Sequence, residues 1–145
     1  MKFFGYKINA QLITKDLIGQ IPDKYEHFCN KDYTHFSLKG NIEDAKNEFS
    51  LYETINNLIF NKANLSLMGK EIITIVEEFK IDSFIVLYTE DPGSSYPLSE
   101  IIILIIKNGE IQRESLLMNT DEEGDFLADL YLDYDSLVWF EIPFE

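Results

Sequence analysis

Two histidines and the single cysteine lie close together in the sequence, and their side chains are of the types that bind zinc. His27, Cys29 and His35 form the pattern H-x-C-x5-H. A structural zinc site uses four ligands at characteristic spacings, and this pattern matches none of them. A nucleophile made of Cys29 and a histidine has no local sequence signature either. We therefore predict no metal and no cofactor, and we interpret the three residues as ordinary core and loop positions.

Residues 119–130 superficially resemble a calcium-binding EF-hand loop. The segment is acidic, and Gly124 stands at the sixth position, where the sharp turn of such a loop needs a glycine. The last position requires a bidentate glutamate, and Leu130 stands there instead. We therefore predict no EF-hand, and weak binding of calcium to the acidic cluster is the most that the segment supports.

Carboxylate pairs are the remaining candidates for acid–base catalysis, but acids are so abundant in this chain that no pair can be singled out as catalytic. Acids spaced along a helix, such as Asp125, Asp129 and Asp133, usually form a solvated face. The sequence contains no G-x-S-x-G, no P-loop, no G-x-G-x-x-G and no H-E-x-x-H motif. We therefore predict that the protein is not an enzyme. The alternative is a small enzyme whose carboxylates come from the sheet edges or from residues 91–97.

The distribution of charge is the strongest functional signal. The net charge is −14, yet the first 81 residues carry 11 acids against 10 lysines. The rest of the chain carries 15 acids against only Lys107 and Arg113. This asymmetry repels nucleic acid and anionic membranes, and it attracts cations and basic proteins.

Composition places the chain among globular proteins of a reducing compartment. Hydrophobic residues make up 46% of the 145 residues, which is enough for one domain with its own core. A single cysteine excludes an internal disulfide, and the N-terminus lacks the apolar stretch of a signal peptide. We expect one cytoplasmic domain over residues 1–145.

The element around which the chain is organised is the aliphatic run at residues 101–106. Five of its six residues are β-branched, which favours a strand, and its lack of alternation indicates that both faces are covered. Asn108-Gly109 follows, and this pair favours a two-residue type I′ turn. The sequence therefore predicts a hairpin in which residues 111–118 pair back antiparallel.

Periodicity locates the other elements. Strands are predicted at residues 2–13, 33–39, 82–90 and 136–144. Helices are predicted at residues 41–60 and at residues 66–79, the second with Ser66 as its N-cap and with Leu67, Ile72 and Val76 facing inward. Residues 91–97 are predicted to form a loop that is either a long hairpin or a crossover.

Residues 120–134 fit two structures. Thr120 and Glu123 form a capping box, and apolar and acidic residues separate onto opposite helical stripes. Residues 128–135 also alternate as a strand would, and Gly124 weakens a helix by roughly 1 kcal/mol relative to alanine. We favour the helix because the acidic and apolar residues separate more cleanly on it.

These patterns predict a single α+β domain. It has a mixed, mostly antiparallel sheet of about five or six strands, with two or three packed helices. The predicted function is to bind and neutralise a basic protein, most concretely as an immunity protein or antitoxin against a nuclease toxin, and the protein is a monomer or homodimer. A DNA-mimic inhibitor is an alternative. The candidate partner-binding residues are Asp121, Glu122, Glu123, Asp125, Asp129, Tyr131, Asp133 and Asp135.

Overall fold

The computed structural model describes residues 3–30, 32–40, 51–91, 98–107, 110–118 and 140–144. These residues form seven strands, two α-helices and one short 3-10 helix. In chain order the elements are β1 (Phe3–Lys15), β2 (His27–Asn30), β3 (Tyr33–Ser37), α1 (Leu51–Phe60), the 3-10 helix (Lys62–Asn64), α2 (Leu67–Glu78), β4 (Ser83–Asp91), β5 (Leu98–Lys107), β6 (Glu110–Met118) and β7 (Phe140–Phe144).

All the strands belong to one sheet, ordered β2-β3-β1-β4-β5-β6, and every described pair is antiparallel. The long strand β1 is its centre. Its second half pairs with β3 on one edge, its first half pairs with β7, and β4 pairs along the other edge. Lys7 is opposite both Asp91 of β4 and Glu141 of β7, so β7 lies on the same edge of β1 as β3.

The predicted α+β class is confirmed, but the sheet has seven strands and not five or six. The missed strand is β2. Its four residues show no clear alternation, and they are extended because they pair with β3 from His27 opposite Phe36 to Asn30 opposite Tyr33. Two α-helices are described, and the third predicted helix, at residues 120–134, lies outside the described residues. So do residues 41–50 of the first predicted helix.

The predicted β5–β6 hairpin is confirmed. Lys107 is opposite Glu110, so two residues connect the strands, as the Asn-Gly pair predicts. The register shifts between Ile103 and Leu104, because Leu104 is opposite Arg113 and Ile103 is opposite Ser115. The chain between β4 and β5 is also a hairpin connection and not a crossover, since Glu90 is opposite Leu98.

The helices pack on one face of the sheet. α1 contributes Ile55 and Leu58 to the core, and α2 contributes Met68, Ile72, Ile75 and Val76, at the three- and four-residue spacing of one helical face. The prediction for Leu67 is wrong, because this side chain is 45% exposed. From the sheet, the core takes Ala10, Leu12, Phe36, Leu38, Phe84, Val86, Leu104 and Ile111.

The other face of the sheet is buried as well. Ile13 and Leu87 are at most 1% exposed, and Gln11 and His35 are fully buried beside them. The polar positions that alternate along β1 are therefore not a solvent-facing row, although a period of two is typical of a half-buried strand.

Both ends of α2 are fixed by local hydrogen bonds. Ser66 Oγ accepts from Gly69 N at 3.2 Å, as predicted for the N-cap. At the C-terminus, Lys80 adopts a left-handed conformation (φ 52°), and Ile81 N donates to Val76 O at 3.0 Å. This geometry is a Schellman motif, which terminates helices. No described helix is long and apolar enough to cross a membrane.

Candidate functional site: the acidic end of the sheet

Acidic residues from three strands meet at one end of the sheet. Lys7 of β1 is opposite Asp91 of β4 and Glu141 of β7. One residue further along β1, Ile8 is opposite Glu90. Glu100 of β5 lies at the same end, two residues after Leu98, the register partner of Glu90. We call Glu90, Asp91, Glu100 and Glu141 the acidic end.

The strand register brings these residues together. β4 finishes here, and β5 and β7 begin here, because antiparallel neighbours place alternate strand termini at the same edge. Lys7 is the one basic residue at these register positions of the described strands, and it is directly opposite two of the four acids, Asp91 and Glu141. Acids therefore outnumber bases four to one at these positions, which gives this end of the described sheet a local excess of negative formal charge.

The candidate partner-binding residues lie outside the described residues. They are Asp121, Glu122, Glu123, Asp125, Asp129, Tyr131, Asp133 and Asp135. Two residues that flank this segment in the sequence are described. Met118 is opposite Glu100, and Phe140 is opposite Ile8, so the chain leaves β6 and enters β7 at the acidic end. The two attachment points are separated by about four strand spacings, or roughly 19 Å.

The three residues weighed as metal ligands do not converge. His27 and Cys29 are opposite Phe36 and Thr34, whereas His35 is opposite Phe28. Directly opposed residues of antiparallel strands share a face, so His27 and Cys29 project to one side of the β2–β3 ribbon and His35 to the other. Among the described residues, no group of three histidine, cysteine or acidic side chains has the geometry to hold a metal ion.

Each of these residues has other contacts. His27 Nδ1 lies 2.8 Å from Tyr25 O, and Cys29 Sγ lies 3.6 Å from Thr34 Oγ1. The His35 ring stacks on Phe28 with 4.4 Å between the ring centroids and 5° between the planes. The interpretation as a core position holds for His35, which is fully buried, but the loop interpretation is wrong, because pairing with β3 places His27 and the exposed Cys29 in strand β2.

A row of buried polar side chains on the second sheet face was not apparent from the sequence. Gln11 is opposite Ser37, and His35 precedes Ser37 by two residues on the same face. Gln11 and His35 are fully buried, and Ser37 is 7% exposed. Among the described residues, none is a hydrogen-bond partner of the amide atoms of Gln11, the ring nitrogens of His35 or Ser37 Oγ. The one sequence signal is alternation of these polar residues with the core positions of β1 and β3.

Burial determines what this row can do chemically. It lowers the pKa of His35 to about 4, so the imidazole is neutral at physiological pH. A neutral imidazole next to a serine is the pairing that nucleophilic catalysis uses, but a nucleophile must reach its substrate. Because these side chains are closed to solvent, the row affects the stability of the sheet and is not an active site of the described structure.

The chain matches no protein-family model, no curated protein and no solved structure.

Proposed function

We propose that this protein is a non-catalytic, cytoplasmic binding protein that neutralises a basic partner protein. The most concrete form is an immunity protein or antitoxin that inhibits a nuclease toxin. The observation that carries the proposal is the meeting of Glu90, Asp91, Glu100 and Glu141 at one end of the sheet. The segment with the densest acidic residues, 121–135, is attached at that same end through Met118 and Phe140.

Charge complementarity supplies the mechanism. A nuclease holds phosphate groups with lysine and arginine, so its substrate site is cationic. A surface of clustered carboxylates accelerates the encounter with such a site and opposes the binding of DNA or RNA there. Tyr131, which lies among the acids in sequence, is of the residue type that anchors protein interfaces. The inhibitor then acts by occupying the cationic site or its approaches and needs no catalytic residue of its own.

The first experiment identifies the partner. The tagged protein is incubated with lysate of the source organism at low salt and again at high salt, and bound proteins are identified by mass spectrometry. We expect one basic protein whose retention falls, without vanishing, as salt rises. The purified partner should then cleave nucleic acid, and stoichiometric addition of this protein should stop the cleavage. A neutral or acidic partner, or a nuclease that stays active in the complex, contradicts the proposal.

The second experiment maps the surface. Reversing Asp125, Asp129 and Asp133 to lysine should slow association with the partner by at least about tenfold at low salt. The control reverses three exposed acids elsewhere, Asp23, Asp32 and Glu77, for the same change in net charge. Equal effects of the two triple variants would mean that net charge, and not this surface, governs binding.

The alternative, a DNA-mimic inhibitor, would use the same acids but bind a different partner. An inhibitor of that kind binds any enzyme that holds duplex DNA, so the captured protein would bind DNA without cleaving it. Competition by duplex DNA for the captured partner, together with the cleavage assay, separates the two functions.

A further inference from the structure

A large cavity among the described residues lies at the opposite end of β6 from the acidic end. It is open to solvent, has a volume of about 790 Å³, and is lined by the C-terminal turn of α1, the start of the 3-10 helix and the first residues of β6. Small-molecule sites in proteins usually occupy about 300–1,000 Å³. The cavity is therefore large enough for an organic ligand.

One wall of the cavity is apolar. Phe60, the last residue of α1, is 83% exposed, which is unusual for a phenylalanine ring in a chain with a well-filled core. Ile59 and Ile111 lie beside it, and Ile111 is only 4% exposed. An exposed aromatic ring next to the half-buried Ile59 and the buried Ile111 provides a flat surface on which a planar ligand ring can stack.

Another part of the cavity lining is positively charged. Lys62 and Arg113 both line the cavity, and both are exposed. The ion pairs seen among the described residues join Lys24 to Glu78 and Lys39 to Glu26, so neither cation of the cavity is neutralised by a described carboxylate. Glu110 also lines the cavity, but it lies beyond ion-pair distance of both.

These two cations lie together on a chain that is otherwise strongly acidic. After residue 81 the chain has 15 acids and only two basic residues, and Arg113 is one of them. An arginine and a lysine that line one cavity, neither of them paired with a described carboxylate, form a local cationic site on an acidic protein. Arginine binds phosphate and carboxylate groups through two parallel hydrogen bonds, and lysine adds a point charge.

We propose that this cavity is a binding site for a small organic anion with a planar ring. The anionic group binds between Lys62 and Arg113, and the ring packs on Phe60. The amides of Asn56 and Gln112, which also line the cavity, offer donors and acceptors to the polar edge of the ring. Planar rings that carry a phosphate group or a free carboxylate share this chemistry. The proposal uses no residue of the acidic end, so it stands or fails independently of the proposed function.

The experiment titrates the isotope-labelled full chain with four probes and follows its amide NMR signals. Adenosine 5′-monophosphate and indole-3-acetate present a phosphate and a carboxylate on a planar ring. Adenosine has the ring without the charge, and inorganic phosphate has the charge without the ring. We expect one or both ring-bearing anions to shift the amides of Phe60, Lys62 and residues 111–113. If only one of these two anions causes the shifts, its charged group, phosphate or carboxylate, is the one that the site prefers. Adenosine and inorganic phosphate should bind at least about tenfold more weakly.

Matched variants locate the site. Arg113→Gln should weaken binding of the anion by about tenfold, because it removes a charge-assisted pair of hydrogen bonds from an exposed position. Phe60→Ser should weaken it through loss of the stacking surface. Lys15→Gln and Ile18→Ser change an exposed cation and an exposed apolar side chain remote from the cavity, and they should leave binding unchanged.

Four results would overturn the proposal. The first is that neither ring-bearing anion shifts the amide signals at millimolar concentration, and the second is that adenosine or inorganic phosphate binds as tightly as these anions. The third is that the shifts map to another part of the chain. The fourth is that the cavity variants and the control variants change binding equally. All four substituted residues are exposed, and the dispersion of the NMR spectrum reports directly whether each variant is folded.

Discussion

Thr54 Oγ1 lies 3.0 Å from Ser66 Oγ, so two buried hydroxyl groups hydrogen-bond across the junction between α1 and the N-terminus of α2. Ser66 Oγ also accepts from Gly69 N as the N-cap of α2. Ser66→Ala should lower the free energy of unfolding by about 1–3 kcal/mol, because it removes the cap and leaves the Thr54 hydroxyl without this partner. Urea denaturation measures the loss. In Thr54→Val/Ser66→Ala no orphaned hydroxyl remains, so its cost should be below the sum of the single variants, and strict additivity would contradict this coupling.

Gly40 is required by close packing. A Cβ atom at this position would lie 2.6 Å from Glu71 Oε1 and equally close to the backbone of Leu67 and Met68. The Glu71 carboxylate accepts from Lys39 N at 3.0 Å and from Gly40 N, so it cannot move without losing both bonds. Gly40→Ala should therefore cost about 1–3 kcal/mol of stability.

The matched control for this substitution is Gly69→Ala. A Cβ there would make contacts of 3.4 Å or longer, and Gly69 lies within α2. The alanine should be neutral or stabilising by up to about 1 kcal/mol, because it favours the helix more than glycine does. The close-packing argument is wrong if both alanines shift the urea midpoint in the same direction.

His35 should make stability depend on pH. Its pKa is lowered from 6.5 to about 4 in the folded protein by burial, so protons bind more strongly to the unfolded chain. Stability should consequently fall as the pH decreases from about 6.5 to about 4, by no more than about 3 kcal/mol from this residue. Unfolding free energies measured across this range should depend less on pH in His35→Leu than in the wild type. The same dependence in His35→Leu and in the wild type would contradict this assignment.

Tyr25 should titrate at unusually high pH. Its hydroxyl donates a hydrogen bond to Glu78, which raises the pKa of the phenol to about 12, with smaller contributions from burial and from the charge of Glu78. The raised pKa means that this stabilisation is present below about pH 10 and is lost as the pH rises towards 12. Ultraviolet titration of the wild type and Tyr25→Phe isolates this residue. In Glu78→Gln the pKa should return towards 10, and an unchanged titration would exclude Glu78 as the cause.

Lys80 stands where the Schellman motif favours glycine. Its φ of 52° is a left-handed conformation that costs a side chain roughly 1 kcal/mol. Lys80→Gly should stabilise the protein by up to about 1 kcal/mol, whereas Lys80→Ala should give no comparable gain because alanine has the same steric cost. Thermal unfolding at fixed pH compares the two. A larger gain from alanine would show that charge, and not backbone conformation, limits stability here.

Local chemistry made parts of the fold predictable. The β5–β6 hairpin follows from β-branched strands joined by Asn108-Gly109, and the start of α2 follows from Ser66 before a helical stripe. These features depend on residues that are neighbours in the sequence. The strand β2 was not predictable in this way, because its four residues are extended through pairing with β3 and have no strong intrinsic preference.

The same distinction between sequence and tertiary structure applies to the candidate site. The excess of acids after residue 81 can be read from the sequence, since net charge depends on composition and not on folding. The meeting of Glu90, Glu100 and Glu141 at one end of the sheet depends on the fold, because hydrogen-bond register sets which distant residues become neighbours. Tertiary structure likewise closed Gln11 and His35 off from solvent, and it placed Lys62 beside Arg113 at one cavity.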